Sequence, residues 1–465
     1  MEADPLSENY GEVVIQDLQS KHISGRRLTE IRFFNETLKD KTVLIRGKIQ
    51  TSRCVGKNSR FLVLKEKVSS IQCVLTVEDN LSPQMVKFAT SLSKEFNVEI
   101  EGIVSVPDYP IKRATQNVEL QVTKIYCFSE ALPNKKKALQ PAKQIPHVNP
   151  DKCLNFRVLD VCTPANQQMF RIQCQVDSEF MQYLLSEGFL GIDTPKVIAT
   201  SQTDGPPACL AQSPQLHKQM AICWGFGSVF EIGSVFRAEK SKKLRYLCEC
   251  IGLDLEMEIK EHYSDVMDVV EGLFVSMFDS LNEKCKKELE AIGNQYPFKP
   301  LKYLKKTPRL TFEEGVQMLK EDGVKVNPLR DLNKQLKRKL GKLVLEKYGT
   351  EFCILHRYPT AIRPFYTMPS HDNPTYSNSF DVFIRGEEII SGGQRVHDLE
   401  LLITRAESCG INLKSIEAYI DAFRYGTPPL GGFGVGFEKV VMLFCGLNNI
   451  RETSLCSPNP QRITP

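Results

Sequence analysis

The sequence contains no apolar run approaching the ~20 residues that cross a bilayer. Its opening, "MEADPLSENYGEVV", is acidic where a secretory signal is cationic and then apolar. We therefore expect no membrane partner and a cytoplasmic protein. Charge of one sign is also scarce. A net charge of +4 over 465 residues is too weak to draw nucleic acid or an anionic membrane onto the whole surface, so any such contact must come from local patches. The 15 cysteines never form a CxxC spacing, and Cys248 and Cys250 are the nearest pair. That scatter supports neither a zinc module nor a secreted disulfide framework, and the thiols read as reduced. Repeats and low-complexity segments are absent, as are a GxGxxG dinucleotide fingerprint and the GK[ST] ending of a P-loop.

Apolar residues at 42% and charged residues at 25% are the balance of a globular protein, and the length allows several domains around large cores. Residues 1–38 read as a polar lead-in. Residues 39–132 carry short β runs, "KTVLIRGKIQTSR", "FLVLKE", "SIQCVLTV", "NVEIEGIVSV" and "VELQVTKIYCF", with the amphipathic "LSPQMVKFATSLSKEF" among them. Five strands with one inserted helix fit an OB-fold barrel, a frequent reader of nucleic acid. Residues 133–151, rich in proline and lysine, read as a hinge. Residues 152–465 mix the two periods. Met169, Ile172, Val176, Phe180 and Leu184 share one helical face that ends near Gly188, while Leu253, Leu255, Met257 and Ile259 alternate with Asp254, Glu256 and Glu258. "SVFEIGSVFRAE" and "IGLDLEMEI" form a hairpin around the basic "KSKKLRY", and "SFDVFIRGEEIIS" forms another that turns near Arg385 and Gly386. The long run "DVMDVVEGLFVSMFDSLNEKCKKELEAI" reads as helix. The region is α+β, an antiparallel sheet with flanking helices.

Four constellations carry chemistry. Arg237 ends an apolar strand, and its planar fork suits phosphate. Asp381 and Glu388 flank a turn, where two ionised carboxylates repel unless a cation intervenes; magnesium typically takes one or two carboxylates plus phosphates. In "QSPQLHKQM", Gln212, Gln215 and Lys218 present amide and ammonium groups, and Arg395 in "SGGQRVHD" can meet Lys218 on a carboxylate. Finally, "GGFGVGFEKVVMLF" presses a glycine-rich strand, including Gly436, against whatever lies over it and then enters a helix. Each alone also reads as a solvated turn, an edge strand or plain packing.

Together they resemble the class II aminoacyl-tRNA synthetases, specifically the eukaryotic cytosolic aspartyl-tRNA synthetases, over about Val43–Pro465. The three class motifs appear in order as "GFLGIDTPK", "VFRAE … GLDLEM" and "GVGFEKVVMLF", with "LAQSPQLHKQM", "RPFYTMP", "SNSFDVFIRGEEIISGGQRVHD" and the final "RITP" as subclass features. The resemblance implies a class II antiparallel sheet behind an OB-fold anticodon-binding barrel, with ATP, Mg2+, aspartate and tRNA(Asp) as ligands. It also implies a homodimer with Pro195 at its interface. Arg237 is then expected to hold the ATP α-phosphate and Glu239 to read adenine, both as catalytic groups. Cys250, Glu388, Gly436 and Lys439 are expected to complete the nucleotide site. Asp381 and Glu388 are expected to carry magnesium. Lys218 and Arg395 would clamp the aspartate side chain, with Gln215, Asp254 and Ser391 lining its pocket. Arg53, Phe61, Gln72 and Glu119 match the anticodon-reading positions, an aromatic platform with polar neighbours of the kind unstacked bases need.

The sequence departs from the family pattern around the nucleotide. Cys250 stands where the family stacks adenine on a phenylalanine, and Lys439 where an arginine covers its other face. An aromatic stack contributes ~1–3 kcal/mol and an ammonium cannot stack as a guanidinium does. Tyr246 and Leu430 replace histidines. Phe433 takes a glycine position expected under the substrate. The "SEGGA" lid is missing between Lys196 and Leu210, leaving Asp204, and "CSPNPQRITP" lacks the arginine of the family's "FPRDP". Two functions fit this mixture: an aspartate–tRNA ligase with an altered ATP site, and a non-catalytic paralogue that binds RNA or protein. Lys218 with Arg395 speaks against asparaginyl and lysyl specificity.

Overall fold

A computed structural model describes residues 4–14, 17, 23, 25–56, 58–78, 80–130, 157–199, 208–237 and 247–456. The chain forms two compact units, Met1–Lys143 and Gln144–Pro465.

The first unit is a closed barrel. Strand β1 (Tyr10–Glu12) lies parallel to β6 (Glu119–Ser129) as an addition, and five longer strands make the wall. These are β2 (Thr42–Cys54), β3 (Ser59–Glu66), β4 (Ser69–Thr76), β5 (Asn97–Ser105) and β6, ordered β6-β4-β3-β2-β5 and closed by a β5–β6 pairing. Alternate residues of every strand point inward, so Ile45, Ile49, Leu62, Leu64, Ile71, Cys73, Ile100 and Ile125 fill one core with no exposed surface. Helix α1 (Pro83–Ser91) plugs this core through Met85 and Ala89. It is capped by Ser82, whose hydroxyl accepts from the Met85 N–H at 3.2 Å. The helix is shorter than the amphipathic text, because Asn97 already begins the next strand.

The second unit is built on an eight-stranded sheet. Helix α2 (Pro164–Ser186) starts at Thr163, whose hydroxyl caps the Asn166 N–H, with Pro164 in the first turn where its missing N–H costs nothing. Met169, Ile172, Val176, Phe180 and Leu184 are all fully buried, as their spacing predicts. Each contributes about 1.5–3 kcal/mol of transfer free energy. The helix ends before Gly188, at φ +82°. There follow β7 (Leu190–Gly191), β8 (Val197–Ala199), β9 (Ala208–Leu210), α3 (Gln215–Cys223), β10 (Ser228–Phe236) and β11 (Glu249–Glu258). The long helical run is two helices, α4 (Ser264–Lys284) and α5 (Lys286–Gln295), parted at Cys285 with φ −111° and ψ 28°. Then come β12 (Arg309–Thr311), α6 (Phe312–Glu321), α7 (Lys334–Tyr348), β13 (Phe352–His356), β14 (Ser379–Ile384) and β15 (Glu387–Gln394). The chain continues through α8 (Leu399–Ser408), α9 (Glu417–Phe423), β16 (Leu430–Gly436) and α10 (Phe437–Phe444).

The sheet order is β12-β13-β14-β15-β16-β11-β10-β7. Pairings from β13 through β10 are antiparallel, and only the outer β12 and β7 pair in parallel. One face packs on α2, α4 and α10 through a single apolar cluster containing Leu253, Leu255, Phe352, Phe380, Phe433 and Val435. The β14–β15 hairpin turns at Arg385 (φ +52°) and Gly386 (φ +71°), the two positive values a tight hairpin turn needs.

Candidate active site

The other face of the sheet floors a cavity of about 420 Å³. Four strands make the floor, and their register sets its chemistry. Asp381 of β14 lies opposite Ser391 of β15, which lies opposite Gly434 of β16, which lies opposite Asp254 of β11. The next row brings Gly432 opposite Glu256. The alternation is a strand, but of its polar face only Glu258 is wet: Asp254 is 6% exposed and Glu256 is fully buried. The glycines answer to these acids. A Cβ on Gly432 would stand 2.4 Å from the Glu256 carboxylate, and one on Gly434 would stand 2.7 Å from that of Asp254.

Both buried acids are paired, as burial of charge requires. Lys218 on α3 lies on the same face of the sheet as these acids, where its ammonium donates to Asp254 Oδ1 at 2.8 Å and to the Phe433 carbonyl at 2.6 Å. It stands 3.6 Å from Glu256 Oε2. Arg395, just past β15, grips Glu256 with two parallel bonds of 2.7 and 3.1 Å. Burial works against the Arg395 charge, yet Glu256 holds its pKa above the ordinary value. Lys218 and Arg395 therefore do converge on one carboxylate, but it is the chain's own Glu256. Of the two, Arg395 lines the cavity, with N–H groups beyond the two given to Glu256, and Lys218 does not. Lys218 is thus a buried support of the expected clamp and not its open jaw. Gln215 lines the same end, with a buried side-chain N–H that has no partner among the described residues.

At the far end the walls are Arg237, Cys250, Gly436, Glu438 and Lys439. Arg237 follows the last residue of β10, exposed, with its backbone N–H bonded to the Cys248 carbonyl at 2.8 Å. Cys250 faces inward from β11, and Lys439 stands in the first turn of α10 after Gly436. The Glu438 carboxyl accepts from the Ile251 N–H at 3.1 Å, and burial pushes its pKa up to about 7. Glu239, Tyr246, Asp204, the lid segment and "RITP" lie outside the described residues.

The side chain expected to intrude under the substrate, Phe433, and the expected pocket substitution, Leu430, are both elsewhere. Phe433 is opposite Leu255, on the core face of β16, and is fully buried among apolar side chains. Strand parity turns its ring away from the cavity. Leu430 is likewise buried, in a separate cluster with Val396, Tyr419 and Phe423, and lines no part of the cavity. Neither residue obstructs a ligand.

The two carboxylates expected at a metal also differ from expectation. Glu388 lines the cavity and accepts from Lys337 of α7 at 2.7 Å. Asp381 is 2% exposed, off the cavity wall, and accepts from Arg363 at 2.9 Å. Burial raises the Asp381 pKa, against the opposing pull of Arg363. Among the described residues no three His, Cys, Asp or Glu side chains gather into a metal cage. Glu388 alone fits a magnesium ion that arrives with phosphates and keeps its waters.

In the barrel, the four expected base-reading residues form one network. Arg53 stacks over Phe61 at 5.1 Å and donates to Gln72 at 3.4 Å. Gln72 in turn donates to Glu119 at 3.0 Å. Tyr109, half exposed, joins them by donating to Glu119 at 3.0 Å. It sits in an irregular segment, with no periodic pattern to mark it.

A family model described as "tRNA synthetases class II (D, K and N)" matches residues 149–459. The cytoplasmic aspartate–tRNA ligase 2 of Arabidopsis thaliana is 52% identical, covering 100% of this chain and 90% of its own length. The chain belongs to the aspartate–tRNA ligase family of class II synthetases. The cytoplasmic aspartate–tRNA ligase of Homo sapiens is 42% identical over 99% of this chain and 96% of its own. The solved aspartyl-tRNA synthetase of Entamoeba histolytica superposes with a TM-score of 0.90 at 39% identity, covering 98% of this chain and 96% of that one. The sheet and barrel described above are thus the family's, and the α+β reading of the sequence agrees with it.

Proposed function

We propose that the protein is a cytoplasmic aspartate–tRNA ligase that activates aspartate with ATP and transfers it to tRNA(Asp). The cavity carries the reading: a cation paired with buried acids at one end, and a second cationic group around a glycine floor at the other. Arg395 and the unpartnered amide of Gln215 suit the aspartate, whose side-chain carboxylate takes the remaining N–H groups of the guanidinium. Ser391 and Asp254 line the space between. Arg237 and Lys439 neutralise the nucleotide phosphates beside Gly436, and Glu388 would hold a phosphate-borne Mg2+, which supplies further charge neutralisation when bound. The aspartate α-carboxylate attacks the α-phosphorus, and pyrophosphate leaves. The tRNA terminal ribose hydroxyl then attacks the aspartyl carbonyl, and AMP leaves. No protein nucleophile is needed, so positioning and charge supply the rate.

Cys250 and Lys439 leave the adenine position without an aromatic face or a guanidinium plane, which lowers nucleotide affinity without abolishing the phosphate contacts. Arg53, Phe61, Gln72, Glu119 and Tyr109 read the anticodon bases. The exposed apolar Met181, Leu185 and Leu190 around the end of α2, near the exposed Pro195, support a homodimer. Charging of a tRNA(Asp) transcript with labelled aspartate, against asparagine and lysine, tests the reading. Aspartate alone is expected on the tRNA. No charging, with the transcript still bound, would replace the ligase by an RNA-binding module.

A further inference from the structure

Arg363 opens the "RPFYTMP" stretch and has been given no role above, yet it is among the best-fixed cations in the molecule. It follows the short turn Thr360–Ile362 and lines the cavity. Its side chain is 10% exposed. One terminal nitrogen donates to Asp381 Oδ1 at 2.9 Å and the other to Ser391 Oγ at 2.9 Å. The guanidinium carbon lies 3.9 Å from the centre of the Tyr358 ring, and Tyr358 itself is fully buried. Stacking below and bonds at both terminal nitrogens hold the plane in one orientation. The Nε–H is buried and finds no partner among the described residues, an omission that calls for a ligand or another explanation.

Position gives the cation a task. Asp381 and Ser391 place Arg363 at the β14–β15 flank of the floor, while Arg237 stands at the β10 flank, with β16 and β11 between them. Joining a carboxylate to a phosphate brings two anions together, and a cation at one flank leaves the other side of that charge uncovered. We propose that Arg363 is a phosphate-binding residue of the cavity, facing Arg237 across the floor, and that Asp381 is the positioning residue that seats it. Asp381 then acts through Arg363 and not as a metal ligand. This rests on the cavity being an ATP and aspartate site.

The test is equilibrium binding by calorimetry on the full chain, with ATP and inorganic pyrophosphate in EDTA, and with aspartate separately. Arg363→Gln is expected to weaken ATP and pyrophosphate tenfold to a hundredfold and leave aspartate within about twofold. Arg363→Lys, which keeps the charge and loses the fork, falls between. Asp381→Asn weakens ATP in EDTA in the same direction, and the double variant is no weaker than Arg363→Gln alone. Millimolar guanidinium restores part of the pyrophosphate binding of Arg363→Ala. Unchanged ATP binding in Arg363→Gln, or equal losses of ATP and aspartate, overturns the phosphate role. A defect in Asp381→Asn seen only with magnesium overturns the positioning role and returns Asp381 to the metal. Failure of the unaltered protein to bind ATP refutes the ATP-site reading together with this proposal, whereas the first outcomes refute only the proposal.

Discussion

Replacing Glu256 with glutamine keeps the shape of the floor and removes the negative charge that two cations share. Arg395 is 4% exposed and Lys218 is 1% exposed, so neither can recover its charge partner from water. Asp254 then stands alone against two buried positive groups. Breaking a buried ion pair by removing one partner costs ~3–5 kcal/mol, most of it the penalty of the uncompensated charge. For a unit of roughly 320 residues, an unfolding entropy of about 2 cal/mol/K per residue converts that into a fall in Tm of ~4–7 °C. Tryptophan fluorescence reads it directly, because Trp224 is the chain's single tryptophan and caps the helix that carries Lys218. Aspartate affinity should fall as well, since Arg395 loses the grip that aims it. Adding Lys218→Met to Glu256→Gln also strips Asp254 of its ion-pair partner and should lower the stability further. If Glu256→Gln unfolds within 1 °C of the unaltered protein, or the double variant is more stable than the single, the floor is not the coupled network described.

Phe433→Ala should destabilise the second unit by ~3–5 kcal/mol in urea unfolding, as a buried phenylalanine does, and should not improve ATP binding; improved binding would place the ring in the cavity after all. Cys250→Phe with Lys439→Arg should lower the KM for ATP at least thirtyfold if the missing stack amounts to ~2 kcal/mol or more, and an unchanged KM would locate the defect elsewhere. Glu438 has its carboxyl pushed by burial from 4.5 to about 7. The folded state therefore binds that proton more tightly than the unfolded, and stability falls as pH rises from 4.5 to 7, by up to ~3 kcal/mol. Glu438→Gln should match the unaltered protein near pH 4.5 and exceed it at pH 8, leaving the decline due to other buried carboxyls such as Glu452, which burial also raises to about 7; an unaltered decline in the variant would contradict the burial argument.

Much of this site is legible in the sequence, and the parts that are not share a cause. The α2 face and the β11 alternation are long periodic signals, and both folded as written. Arg237, Arg395 and Glu388 line one cavity because each ends or edges a sheet strand, where register brings distant residues together, and Gln215 joins them from the first turn of α3. Glu256 was legible as a strand acid but not as a buried one, because alternation does not say whether the polar face meets water. Phe433 was misplaced by one parity step. Glycines on either side of it carry no side chains to show which face of the strand looks at the ligand, and a one-residue change of parity reverses every assignment. Arg363 and Tyr109 lie in irregular segments and have meaning only through partners distant in sequence, such as Asp381 and Glu119. Asp381 and Glu388 do flank a turn as read, but a register shift between Val382 and Phe383 and the neighbouring Lys337 and Arg363 give each acid its own cation.

Aspartate-dependent exchange of labelled pyrophosphate into ATP, measured on the purified protein without tRNA, tests the cavity most directly. Exchange is expected with aspartate, raised in KM for ATP, and lost in Arg395→Ala. Absence of exchange at saturating ATP and aspartate, in a protein that is folded, would contradict the assignment of this cavity to aspartate activation.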